Sequence, residues 1–143
     1  MKTVLFACTH NAGRSQMAAA FFDALADSSQ ARALSAGTEP ALFVHPIVVE
    51  AMAEVGLDLT RAVPRILTDE FARGAALLVT MGCGEQCPFV PGLEVEDWAL
   101  ADPKDLPLPE VRAIRDTIRA RVERLIEERG WARASTEAGG DGR

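Results

Sequence analysis

The chain has 143 residues, 48% apolar and 25% charged, enough for one domain with a real core and too few for two. Its formal charge is −6, from 21 acidic and 15 basic side chains, which argues against nucleic acid as a partner. The apolar runs are far shorter than a membrane span, and the N-terminal run is too short for a secretory signal, so the protein is read as cytoplasmic with no membrane partner.

Residues 3–7 (Thr-Val-Leu-Phe-Ala) form a continuous apolar run that predicts a buried strand of a parallel sheet. Met17, Phe21, Phe22 and Leu25 recur at helical spacing over 15–26. Residues 32–36 predict a weak second strand ended by Gly37. Pro46 opens a helix predicted through Val55 and stopped by Gly56. Thr68 or Asp69 caps a short helix to Arg73, and 75–81 predict the next clear strand. Residues 82–92 are rich in Gly, Cys and Pro and read as a loop, followed by a fourth candidate strand at 94–98. Pro109 opens a last helix to about Glu128, with Val111, Ile114, Ile118, Val122, Leu125 and Ile126 on one face. The alternation of strand and helix implies an α/β domain with a mostly parallel sheet over 1–131. The apolar-poor segment 132–143 reads as a disordered tail.

Three cysteines, Cys8, Cys83 and Cys87, do not make a disulfide framework in a cytoplasmic chain. They point to nucleophilic, redox or metal chemistry. Cys8 ends the first strand in the stretch CTHNAGRS, and a helix begins at its far end. Ligands of open α/β sheets lie outside the carboxyl ends of the strands. The unpaired N–H groups of a helix N-terminus favour an anion there. Asn11 and Gly13 allow the tight turn, so the backbone N–H groups of Thr9, His10, Asn11, Ala12, Gly13, Arg14 and Ser15 can line an oxyanion nest. Arg14 adds a bidentate fork, and Ser15 a hydroxyl for the Cys8 thiolate. The spacing thus sets a nucleophile and an anion clamp on one ring. Cys83 and Cys87, at i and i+4 in a glycine-flanked loop, read either as a thiol–disulfide pair or, with Cys8 and His10, as zinc ligands. The absence of paired C-x2-C knuckles and the cation of Arg14 weigh against zinc, so no metal is predicted.

Cys8-x5-Arg14-Ser15 resembles the signature of the low-molecular-weight protein tyrosine phosphatases. Within that superfamily HNAGRSQMA (10–18), TMGCGEQCP (80–88) and DWALADP (97–103) resemble the arsenate reductases, and the likeness runs from residue 2 to about 130. It implies a three-layer, flavodoxin-like α/β sandwich with a central four-stranded parallel sheet. It also implies reduction of arsenate to arsenite for arsenical resistance, with Cys8, Arg14, Cys83, Cys87 and Asp102 as catalytic residues. Cys8 attacks arsenic, Asp102 protonates the leaving oxygen, and Cys83 then Cys87 resolve the adduct to a Cys83–Cys87 disulfide. The implied partners are arsenate, with phosphate or sulfate as mimics, and thioredoxin or a glutaredoxin-like protein with a low-molecular-weight thiol. No cofactor is implied. Ala19 stands where potassium-binding relatives carry a glutamate, so no such site is expected. Two other readings stand beside this one: a phosphatase using Cys8, Arg14 and Asp102 alone, and a non-catalytic oxyanion- or zinc-binding regulator. The chain has no tyrosine, and Lys104 follows Asp102-Pro103, which removes aromatic walls from any phosphotyrosine pocket.

Overall fold

A computed structural model of the protein describes residues 1–82 and 90–133. The elements run β1 (Lys2–Cys8), α1 (Arg14–Leu25), β2 (Ala31–Gly37), α2 (Pro46–Ala53), α3 (Asp69–Arg73), β3 (Leu77–Thr80), β4 (Glu94–Asp97) and α4 (Leu108–Arg129). The four strands form one parallel sheet in the order β2-β1-β3-β4. The expected alternation is therefore present, with boundaries within two residues of those read in the sequence. The largest shifts are at the start of β3, at Leu77, and at the end of α2, at Ala53. Val55 and Gly56 already bond back to Met52 and Ala53 in a turn, which Gly56 closes at φ 82°.

Strand β1 is buried on both faces, as its unbroken apolar run requires. Val4, Phe6 and Cys8 face the larger core, built with Met17, Phe22, Met52, Ile118 and Val122 from α1, α2 and α4. Leu5 and Ala7 face a smaller one with Ala36, Ala72 and Leu78, backed by Phe71 of α3. Helices thus cover both faces, giving the three layers. Phe6 anchors the centre, its ring 6.0 Å from Phe22 and 5.7 Å from Trp98. Past α4, Trp131 packs 5.9 Å from Phe22, its carbonyl accepts the Asp27 N–H, and Ala132 bridges Ala26. Among the described residues no helix is long and apolar enough to cross a membrane.

Order β2-β1-β3 makes β1 the strand from which the connections depart in opposite directions. Such a switch point opens a crevice at the carboxyl ends of the strands. The register Ala7↔Thr80 and Cys8↔Gly37 brings the ends of β1, β2 and β3 level there.

One ion cluster joins α2 to α4. Glu54 accepts from Arg112 at 2.6 Å and from Arg115 at 2.8 Å, and buried Arg115 also donates to the Ala51 carbonyl. The two guanidinium partners hold the Glu54 carboxyl down to about 2, from an ordinary 4.5. A depressed carboxylate stabilises the fold above its unfolded pKa, and that share is lost as pH falls from about 4.5 toward 2. Glu54→Gln is expected to flatten the loss of urea stability across that acid window. Parallel pH slopes for wild type and variant would count against the cluster as a source of acid sensitivity.

Candidate active site

Cys8 is 2% exposed, and its Sγ lies 2.8 Å from Ser15 Oγ. The direction of that bond follows from its neighbours. Asn11 Oδ1 accepts the Arg65 backbone N–H at 2.9 Å, and a backbone N–H can only donate, so the Asn11 amide orientation is settled. Its Nδ2 then donates to Ser15 Oγ at 2.7 Å, which leaves the Ser15 hydroxyl hydrogen for the Cys8 sulfur. The sulfur is thus the acceptor of that bond, at the end of β1 and beside the start of α1. Gln16 adds bonds from Nε2 to Asn11 O at 3.1 Å and Oδ1 at 3.2 Å.

The chain from Cys8 to Arg14 is bent into a ring, with Asn11 at φ 50°. Asparagine tolerates that left-handed conformation. The carbonyls of Cys8, Thr9, His10 and Ala12 accept the N–H groups of Thr38, Glu39, Ala41 and His45, at 3.3, 2.8, 3.0 and 3.0 Å. In a planar trans peptide the carbonyl and the following N–H point opposite ways. Tying the carbonyls to the 38–45 strap therefore turns the N–H groups of Thr9, His10, Asn11 and Gly13 toward the other side. N–H groups turned to one side in this way can form an oxyanion nest. The side chains of Thr9 and His10 are also engaged. Thr9 Oγ1 donates to the Gly82 carbonyl at 3.2 Å, and His10 Nδ1 donates to the Glu39 carbonyl at 3.0 Å.

Arg14 begins α1 and is 8% exposed. Its Nη1 donates to the Leu100 carbonyl at 3.1 Å, and its Nη2 lies 3.7 Å from Asp102 Oδ2. Its buried Nε has no hydrogen-bond partner among the described residues. An unsatisfied buried donor costs about 1–3 kcal/mol, a cost that an oxyanion acceptor removes. Gly82, at φ 106°, lies against the guanidinium; a Cβ there would sit 2.3 Å from Arg14 Nη1. Asp102 Oδ1 accepts the Lys104 N–H at 3.0 Å, so Oδ2 is the oxygen turned to Arg14. Pro103 packs on Gly13, where a Cβ would come within 2.7 Å of its Cγ.

Cys8, Asn11, Arg14, Ser15 and Asp102 therefore meet at one crevice, with Thr9, His10, Ala12 and Gly13 completing its ring. Cys83 and Cys87 lie outside the described residues. The strap 38–45, the Arg65 N–H, the Leu100 carbonyl and Gly82 were missed by sequence reasoning. Most of these act through main-chain atoms, which leave no side-chain signature.

A parallel sheet with a C-x5-R ring at its switch point defines the class. The model of the low molecular weight phosphotyrosine protein phosphatase family matches residues 3–131, and the chain belongs to that family. Several of its relatives carry a more particular name. The arsenate reductase of Staphylococcus aureus strain Newman is 35% identical over 127 residues, 85% of this chain and 94% of that protein. The glutaredoxin arsenate reductase of Synechocystis is 34% identical over 129 residues, 88% and 97% of the two chains. The solved structure of a thioredoxin-dependent arsenate reductase from Corynebacterium glutamicum matches with TM-score 0.78 and 38% identity over 90% of this chain. The present chain spans 61% of the length of that one.

Proposed function

We propose that this protein is a cytoplasmic arsenate reductase, its whole reaction carried by one domain over residues 1–131. The observation that carries the reading is the Cys8 sulfur held by Ser15 at 2.8 Å in a ring closed by Arg14. Arsenate is a tetrahedral oxyanion of the size such a ring binds, and phosphate and sulfate are its mimics.

In the first step the Cys8 thiolate attacks arsenic, a sulfur–arsenic bond forms, and an oxygen leaves with a proton from Asp102. Arg14 and the ring N–H groups hold the remaining oxygens. In the second step a thiolate attacks Cys8 Sγ. A sulfur–sulfur bond forms, the sulfur–arsenic bond breaks, and its electron pair passes to arsenic, which leaves as arsenite. Two thiols are oxidised for each arsenic reduced. Cys83 supplies the attacking thiolate; Cys87 then attacks Cys83, frees Cys8 and leaves a Cys83–Cys87 disulfide. Thioredoxin, or a glutaredoxin-like protein with a low-molecular-weight thiol, returns the pair to the dithiol. The names of the relatives support both reductants.

The second reading, a phosphatase, is favoured by the family as a whole and uses only Cys8, Arg14 and Asp102. Reduced protein mixed anaerobically with arsenate separates the two. Two thiols lost per arsenite, with the bridge at Cys83–Cys87, is the expected result. Cys83→Ser is expected to lose reduction while keeping hydrolysis of p-nitrophenyl phosphate. If no arsenite forms even with a small thiol added, the protein is a phosphatase.

A further inference from the structure

We infer that His45 is a positioning residue for Asp102, its imidazole set beside Gly13 where the Asp102–Pro103 turn meets the oxyanion ring. The inference rests on the reading of Asp102 as the proton donor.

The main chain of His45 already has its work. Its N–H donates to the Ala12 carbonyl at 3.0 Å, and its carbonyl accepts from Val48 and Val49 to begin α2. Residues other than proline could make these bonds, so they do not call for an imidazole. The side chain has a separate location. A Cβ built on Gly13 would lie 2.7 Å from Pro103 Cγ and 3.7 Å from His45 Cδ2. The proline ring and the imidazole therefore converge on the one residue that precedes Arg14.

The charged and titratable groups that act on this imidazole are Asp102, Lys104 and Asp105 from the turn and His10 from the ring. Burial is the strongest influence on its titration and holds it below the ordinary range, against the pull of Asp102. At neutral pH it is therefore an uncharged ring that does not compete with Arg14 for the carboxylate. The turn itself is short, held by the Lys104 N–H on Asp102 Oδ1 at 3.0 Å and the Leu106 N–H on the Pro103 carbonyl at 3.2 Å. Lateral support from the imidazole sets how closely Oδ2 approaches the ring. A displacement of 1 Å at a reacting group can cost on the order of 10²-fold in rate.

The test is a double-mutant cycle in the full chain: His45→Ala, Asp102→Asn and both together, with His45→Phe as the space-filling control. The rate readout is kcat/KM for arsenate with reductant in excess. The ring readout is protection of Cys8 from iodoacetamide by phosphate. His45→Ala is expected to lower kcat/KM about 10-fold with phosphate protection within about twofold of wild type. His45→Phe should recover most of that loss, and His45→Ala should cost nothing further in the Asp102→Asn background. The inference is overturned by an unchanged rate in His45→Ala, by a phenylalanine variant as slow as the alanine one, by additive losses, or by phosphate protection falling in step. If Asp102→Asn is itself unchanged, the proton-donor reading fails and the inference goes with it. A slow Asp102→Asn beside a normal His45→Ala sinks the inference alone.

Discussion

Replacing Cys8 with serine is expected to lower arsenate reduction by about 10⁴-fold while leaving phosphate binding in place. A serine hydroxyl is a far weaker acid than a thiol, so the hydrogen bond from Ser15 at 2.8 Å does not turn it into a nucleophile. In the proposed second step the incoming thiolate must form a sulfur–sulfur bond at residue 8, and oxygen offers no equivalent path. The ring should survive the change. Its shape is held by the four carbonyl bonds to the 38–45 strap and by Asn11, none of which uses the Cys8 side chain. Turnover assays with excess reductant, beside phosphate titration by calorimetry, check both halves. Turnover above about one part in a hundred would remove Cys8 from its role. Loss of phosphate binding would mean that sulfur also shapes the ring.

The other large effect is expected at a residue with no side chain. Gly82→Ala should weaken phosphate binding by about 10³-fold and slow arsenate reduction with it. At φ 106° only glycine rests without strain, and an added Cβ would fall 2.3 Å from Arg14 Nη1 and 3.1 Å from Cζ. The guanidinium it meets is buried and bonded to the Leu100 carbonyl, and making room for the Cβ moves Arg14 off that carbonyl. Two charge-assisted hydrogen bonds to the oxyanion are then lost, at about 1.5–3 kcal/mol each, which is the basis of the factor. Calorimetric titration with phosphate measures it. Binding equal to wild type would show that Arg14 does not clamp the anion from where it now lies.

The placement of Asp102 shows where local reading stops. In the sequence Asp102-Pro103 is equally a turn opener, and only its resemblance to a family motif lifts it. The fold brings its Oδ2 to 3.7 Å from Arg14, while the nearby Asp97 accepts a hydrogen bond from Thr80 Oγ1 at 2.7 Å. His45 is similar. Its role at the start of α2 is legible from the following proline, whereas its approach to Gly13 and Pro103 is not.

The sequence by itself determined what depends on near neighbours. The apolar run of β1, the spacing of Met17, Phe21 and Phe22, Pro46 at a helix start and Gly56 at its end all act within a turn or a strand. The C-x5-R-S stretch belongs with them, since Cys8 and Arg14, the proposed nucleophile and clamp, are six residues apart and can share one loop. The tertiary structure alone decided what crosses the sheet. It set the amide of Asn11 from an N–H 54 positions away, anchored Arg14 on a carbonyl 86 positions away and tied Thr9 to Gly82 across 73. Those distances are closed by strand order and register, which the parallel pairing of β1 with both β2 and β3 imposes. The groups involved are mostly main-chain atoms, which every residue carries, so no local pattern of side chains could have announced them.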